Sequence, residues 1–231
     1  MTGFWSTWRG KGADPQGGAS GLQRLFADYP ADPLPHAGPS EALTTVQQDA
    51  NLAAFLARRE KRLRAMLDFF AQRGIAAAPL LDPTADGAAA AAEIDAWLND
   101  SLPRRSFSPV SGDPQPNPDE RGFHTRDRGG VDGYYGFLED LGLLEGEAIR
   151  RRDPRFSWAF HRLPELNGDG RICLSKPGTT GWAPLALDIA AHLLAICHAK
   201  MAPDGNSSGH HFGELLAAAR AVRFDPGGVT R

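Results

Sequence analysis

From Gly133 to Lys200 the apolar and polar positions follow a readable plan of helix, strand, turn, strand and helix. Tyr134, Phe137, Leu138, Leu141, Leu144, Ala148 and Ile149 recur at helical spacing, and Pro154 closes that helix. Phe156, Trp158 and Phe160 then alternate with Ser157, Ala159 and His161, the period of a half-buried strand. Asn167-Gly168-Asp169-Gly170 predicts a hairpin turn, Ile172 and Leu174 continue the strand pattern, and the run from Leu185 to Lys200 predicts an apolar helix.

The amino half reads as helical. Ser40 is a candidate N-cap for a helix from Glu41 to Arg73, which Gly74 ends and which a break near Asn51 could divide. Leu52, Phe55, Leu56, Leu63, Met66, Leu67 and Phe70 form its apolar stripe. A shorter helix is expected from Ala19 to Tyr29. The Pro-rich piece after it, Pro30 to Pro39, is expected to lie across the surface of the next helix. Leu80 to Thr84 predicts a turn, Ala88 to Leu98 a helix, and Phe212 to Val222 a final helix. Residues 103–130 carry many Pro and Gly and few apolar anchors, which reads as a linker or a long loop.

The organisation predicted is therefore α+β: a helical region over 1–102, the linker over 103–130, and a domain over 131–231. In that domain a small antiparallel sheet packs against helices. Two strands alone are marginal, so a third strand, or helices on both faces of the hairpin, is expected.

Composition narrows the function. The 231 residues are 42% hydrophobic and 23% charged, with a formal charge of −3, typical of a globular chain and unlike a dedicated nucleic-acid binder. Cys173 and Cys197 are the only cysteines, too few for a disulfide framework, and a reducing, cytoplasmic setting is expected. No apolar run reaches the roughly 18 residues of a membrane helix, and no membrane partner is expected. The basic run Arg58 to Arg64 reads as a solvated helix face, with Glu60 and Arg64 paired at i, i+4, in preference to a nucleic-acid footprint.

Candidate chemistry is sparse. Glu165 to Lys176 partly imitates a calcium loop, but Lys176 stands where a bidentate carboxylate is needed. Asp188 and His192, at i, i+4, suit a metal or a proton transfer. They would need an unidentified distant histidine to complete a site; separately, His210 and His211 could converge with His124 or His161. No nucleophile elbow, zinc-protease helix or phosphate loop is present. Both cysteines lie in apolar segments and read as inert core thiols. Glu145 and Glu147 are two apart on a helix and so diverge, which excludes a carboxylate dyad. Gly142 and Gly146 point to close approach of another element. Trp182, in a Gly- and Thr-rich loop before a helix, is a candidate binding residue.

Leu144-Glu-Gly-Glu-Ala-Ile149, followed by Arg152-Asp-Pro154 and Trp158, resembles a pattern in uncharacterised bacterial proteins of the immunity type, encoded beside secreted toxins. The resemblance covers the central third of the chain and carries over no catalytic residue. It implies an α+β protein-binding module that neutralises a toxin by direct contact, without a cofactor. Glu145, Glu147 and Trp182 are then the expected partner-binding residues. The alternative is a small metal-dependent hydrolase built on Asp188, His192 and a distant histidine.

Overall fold

The computed structural model describes residues 21–22, 24–30, 32–36, 43–104, 132–160, 172–177, 185–201 and 211–221. In chain order its elements are α1 (Thr45–Ala71), a short 3-10 turn (Ala78–Leu81), α2 (Ala88–Ser101), α3 (Asp132–Arg152), β1 (Ser157–Phe160), β2 (Ile172–Lys176), β3 (Leu185–Leu187), α4 (Ile189–Met201) and α5 (Glu214–Ala221). The protein is α+β: a helical amino-terminal region and a three-stranded antiparallel sheet, in the order β1-β2-β3, packed against helices. The other elements are organised around α3.

α1 is shorter than the sequence pattern suggests. It starts at Thr44, whose hydroxyl accepts from the Gln47 amide while the Gln47 side chain accepts from the Thr44 amide, a reciprocal capping box. Ser40 lies outside the described residues. No break occurs at Asn51. That residue is buried, and its carboxamide pairs with both backbone groups of His36, at 2.9 and 3.0 Å. The Pro-rich piece is thereby tied along α1, and Asp32 adds ion pairs to Arg58 and Lys61.

The segment before it goes deeper. Leu22, Phe26 and Tyr29 are buried, and Phe26 meets Phe137 at 4.7 Å between ring centroids. Phe69, Trp97 and Phe137 complete the aromatic cluster, with centroids 5.2 to 5.8 Å apart. One hydrophobic core holds Leu22 and Phe26, Phe70 of α1, Ile94 of α2, Leu141 of α3, Leu174 of β2, Leu193 of α4 and Leu216 of α5. Side chains from regions 1–102 and 131–231 thus share a single packed interior.

α3 runs through the middle of this core, touched by α1, α4, α5 and the 3-10 turn. Its stripe is buried as expected, but so are Asp140, Glu145 and Glu147 on its other sides. Gly142 faces the backbone of Ala190 at the start of α4, and a Cβ there would sit at 3.4 Å. Gly146 leaves room for the Trp158 indole, which a Cβ would overlap. At the carboxyl end Arg152 donates to the carbonyls of Ala148, Leu80, Asp82 and Ala85, locking the 3-10 turn onto the helix.

The sheet supplies the third strand. β1 pairs with β2 so that Trp158 faces Leu174, and β2 pairs with β3 so that Leu174 faces Leu187. The hairpin turn itself, Asn167 to Gly170, lies outside the described residues. The helix expected from Leu185 is corrected: Leu185–Leu187 is β3, and α4 begins at Ile189. A short apolar run does not distinguish strand from helix, and the open edge of β2 decides it. Within α4 the face Ile189, Leu193, Ile196 and Cys197 is inward as the helical spacing predicts. Burial pushes the Cys197 thiol up to about 12, so it is a core group and not a nucleophile.

Candidate functional site

Glu145 and Glu147 are not on the surface. They are 1% and 0% exposed, so the expectation of an acidic binding face is corrected: both carboxylates turn toward the protein's own donors.

Glu147 is held from several sides. Arg150 grips it with two hydrogen bonds, 2.9 Å from Nε to Oε1 and 2.8 Å from a terminal nitrogen to Oε2. The Trp158 indole Nε1 donates to Oε1 at 2.8 Å, and Arg59 of α1 lies 3.6 Å away. Burial works to raise this carboxyl, but the bonds from Arg150 and Trp158 and the charges of Arg150 and Arg59 hold it below the usual range.

Two turns earlier Asp140 accepts from the Tyr29 hydroxyl at 2.7 Å and from Arg62 of α1. Burial pushes Asp140 up to about 6 despite the Arg62 charge, and burial also pushes the Tyr29 phenol up. Arg62 is only 4% exposed and also reaches Glu139 at 3.1 Å. The reading of Arg58 to Arg64 as a solvated face is therefore corrected at Arg62. Helical spacing sends it inward, and α3 supplies the carboxylates that make its burial tolerable.

Glu145 lies under the amino end of α5. The Leu216 amide donates to Oε1 at 3.4 Å, and the Gly213 and Leu215 amides also bond the carboxyl. Burial outweighs these donors and pushes Glu145 up to about 7.

Beside α5 a groove of about 780 Å³ opens against α2. Ala88, Ala92 and Ala96 present small side chains to it at i, i+4, i+8 from α2, and Ala217 faces them from α5. Gly213 lets the two helices meet this closely: its φ is +87°, and a Cβ would press on Ala91 at 2.7 Å.

At one end of the groove Asp95 gathers three donors. Lys200 Nζ lies 2.9 Å and His211 Nδ1 3.2 Å from Oδ2, and the Phe212 amide donates to Oδ1 at 2.7 Å. Lys200 is 2% exposed and belongs to α4, so this cluster pins the start of α5 to α2 and α4 together. With Nδ1 taken by Asp95, His211 keeps Nε2 as its remaining polar atom. Asp86 and Glu214 add carboxylates to the groove lining. Lined largely by small side chains, it can hold a helix or another narrow apolar segment.

The other anticipated groups do not assemble there. The His192 amide donates to the Asp188 carbonyl at 3.1 Å in the first turn of α4, and its imidazole lies 3.8 Å from Glu214. Among the described residues no group of three or more His, Cys, Asp or Glu could hold a metal ion. Trp182, His124, His161 and His210 lie outside the described residues. Spacing along the chain does not reveal Asp95, Lys200 and His211 as a unit. The one hint is an aspartate standing between Ile94 and Trp97 in an otherwise alanine-rich helix.

No family model, curated protein or solved structure matches this chain. No helix of the described residues is long and apolar enough to cross a membrane.

Proposed function

We propose that this chain is a non-catalytic protein-binding module that takes a helical segment of a partner protein into the groove between α2 and α5. The observation that carries this reading is the floor of Ala88, Ala92, Ala96 and Ala217 in a groove of about 780 Å³. Small side chains let a second backbone approach to helix-packing distance, roughly 8–10 Å between axes. Of the charged groups in the lining, Asp95 is held by Lys200 and His211, and Glu214 lies 3.8 Å from His192, so the small apolar side chains carry the recognition. The ionic groups of α3 serve the interior, so among the described residues this groove supports recognition better than they do.

The finer reading, in which the partner is a toxin and the chain its immunity protein, rests on the resemblance at Leu144 to Trp158. Most of those residues are interior. They support a shared scaffold, and the groove is then the place where a toxin segment would sit.

The test is binding to the product of the neighbouring gene, measured by calorimetry with wild type, Ala92→Arg and Ala96→Arg. Ala92 and Ala96 are exposed, so both variants keep the wild-type melting curve. The expected result is a complex that each variant weakens at least tenfold. Binding that both arginines leave intact overturns the groove. The absence of any complex or protection from that product overturns the toxin reading.

A further inference from the structure

Glu145 has no part in the proposed binding, yet it is a wholly interior carboxyl at the seam between α3 and α5. Its two oxygens are treated unequally. Oε1 takes the Leu216 amide of α5, while Oε2 is buried without a hydrogen-bond partner. An ionised carboxylate so placed gains from the helix amino terminus but loses its hydration on the other oxygen, and burying an unpaired charge costs far more than burying a neutral acid.

The charged groups on the neighbouring elements, among the described residues, do not relieve this. From α5 comes Glu214, of like charge. From α4 comes His192, which meets Glu214 at 3.8 Å. From α2 comes Asp95, already bonded to Lys200 and His211. From α1 come Arg59 and Arg62, engaged by Glu147 and Asp140, and on α3 itself Arg150 also goes to Glu147.

We infer that the docking of α5 is controlled by a proton on Glu145: the helix seats firmly on α3 while the carboxyl is neutral and loosens when it ionises. α5 has only eight residues and cannot stand as a helix without its contacts, so small changes at the seam reach its whole length. The elevated affinity of Glu145 for its proton, about 7, puts the change near neutral pH. That α5 also walls the partner groove makes this a regulation of the proposed binding. That consequence rests on the binding reading, whereas the docking of α5 does not.

The experiment reads amide hydrogen exchange of α5 in the full chain without partner, from pH 5.5 to 8.5, corrected for intrinsic rates. It is paired with a carbon-13 titration of the Glu145 carboxyl. Protection over residues 214–221 is expected to fall at least tenfold relative to α3, with the midpoint of the carboxyl titration. In Glu145→Gln the fall is expected to vanish. Protection that does not vary with pH, or a carboxyl that does not titrate in this range, overturns the inference. A fall retained in Glu145→Gln assigns it to the His192–Glu214 pair and overturns it too. Should that variant not fold, agreement or disagreement of the two wild-type midpoints decides the matter. A partner that fails to bind leaves this result unaffected, so the two readings fail separately.

Discussion

The indole of Trp158 on β1 donates to the carboxylate of Glu147 on α3 at 2.8 Å, inside the core. The same ring fills the space over Gly146 and meets Phe55 of α1 edge-on at 5.0 Å. One side chain thus joins the sheet to the central helix and to α1. A buried acceptor stripped of its donors costs its full desolvation.

Glu147→Ala is expected to destabilise the chain by about 1–3 kcal/mol, because the buried Trp158 indole loses its acceptor, while the partly exposed Arg150 and Arg59 can turn to water. Trp158→Phe keeps most of the ring and loses one hydrogen bond to a charged group, about 1.5–3 kcal/mol. Urea unfolding of both variants and the double mutant measures the coupling: the double mutant should lose less than the sum of the single losses. Additive losses would show that the bond contributes nothing of its own.

Gly146→Ala puts a methyl group into the Trp158 indole and is expected to cost about 1–3 kcal/mol, although alanine is the better helix former. In the double variant with Trp158→Ala the methyl group meets only the flexible end of Ile189, whose Cδ1 lies 3.0 Å away, and most of the added cost of Gly146→Ala should disappear. Thermal melts compare the four proteins.

Arg62 and Asp140 form the second tie between α1 and α3, with Tyr29 on the same carboxylate. Arg62→Met is expected to lose about 3–5 kcal/mol by stranding Asp140 in the core. Arg62→Met with Asp140→Leu removes both charges and should recover much of that loss. A double variant no better than the single one would show that the pair is needed for packing as well as charge.

Stability should depend on pH in two directions. Glu145 and Asp140 rise on folding, from 4.5 to about 7 and from 3.8 to about 6. Their contribution is complete below the unfolded values and is lost as pH rises through about 6 and 7. Asp153, held down to about 2 by hydrogen bonds from Arg155 and Lys176, contributes above about 3.8 and loses this as pH falls toward 2. Urea midpoints should therefore fall between pH 5 and 8, and Glu145→Gln should flatten that slope. A midpoint that climbs steadily over this range would contradict the burial of these two carboxyls.

The sequence by itself determined the elements whose apolar period is unambiguous. The stripe of α3, most of that of α1 (where Leu56 is exposed and Phe69 is buried instead), the alternation around Trp158, the glycines that admit a close neighbour and the α+β class all follow from spacing that local geometry imposes. Tertiary structure alone decided where the polar residues of those elements went. Leu185 to Leu187 became a strand because β2 had an edge to pair, and Arg62, Asp140, Glu145 and Glu147 went inside because oppositely charged or donor groups met them from distant segments. The same holds for Asp95, Lys200 and His211, which lie on different elements. Burial of a charge depends on a partner many residues away, and no local pattern of hydrophobic and polar positions encodes that meeting.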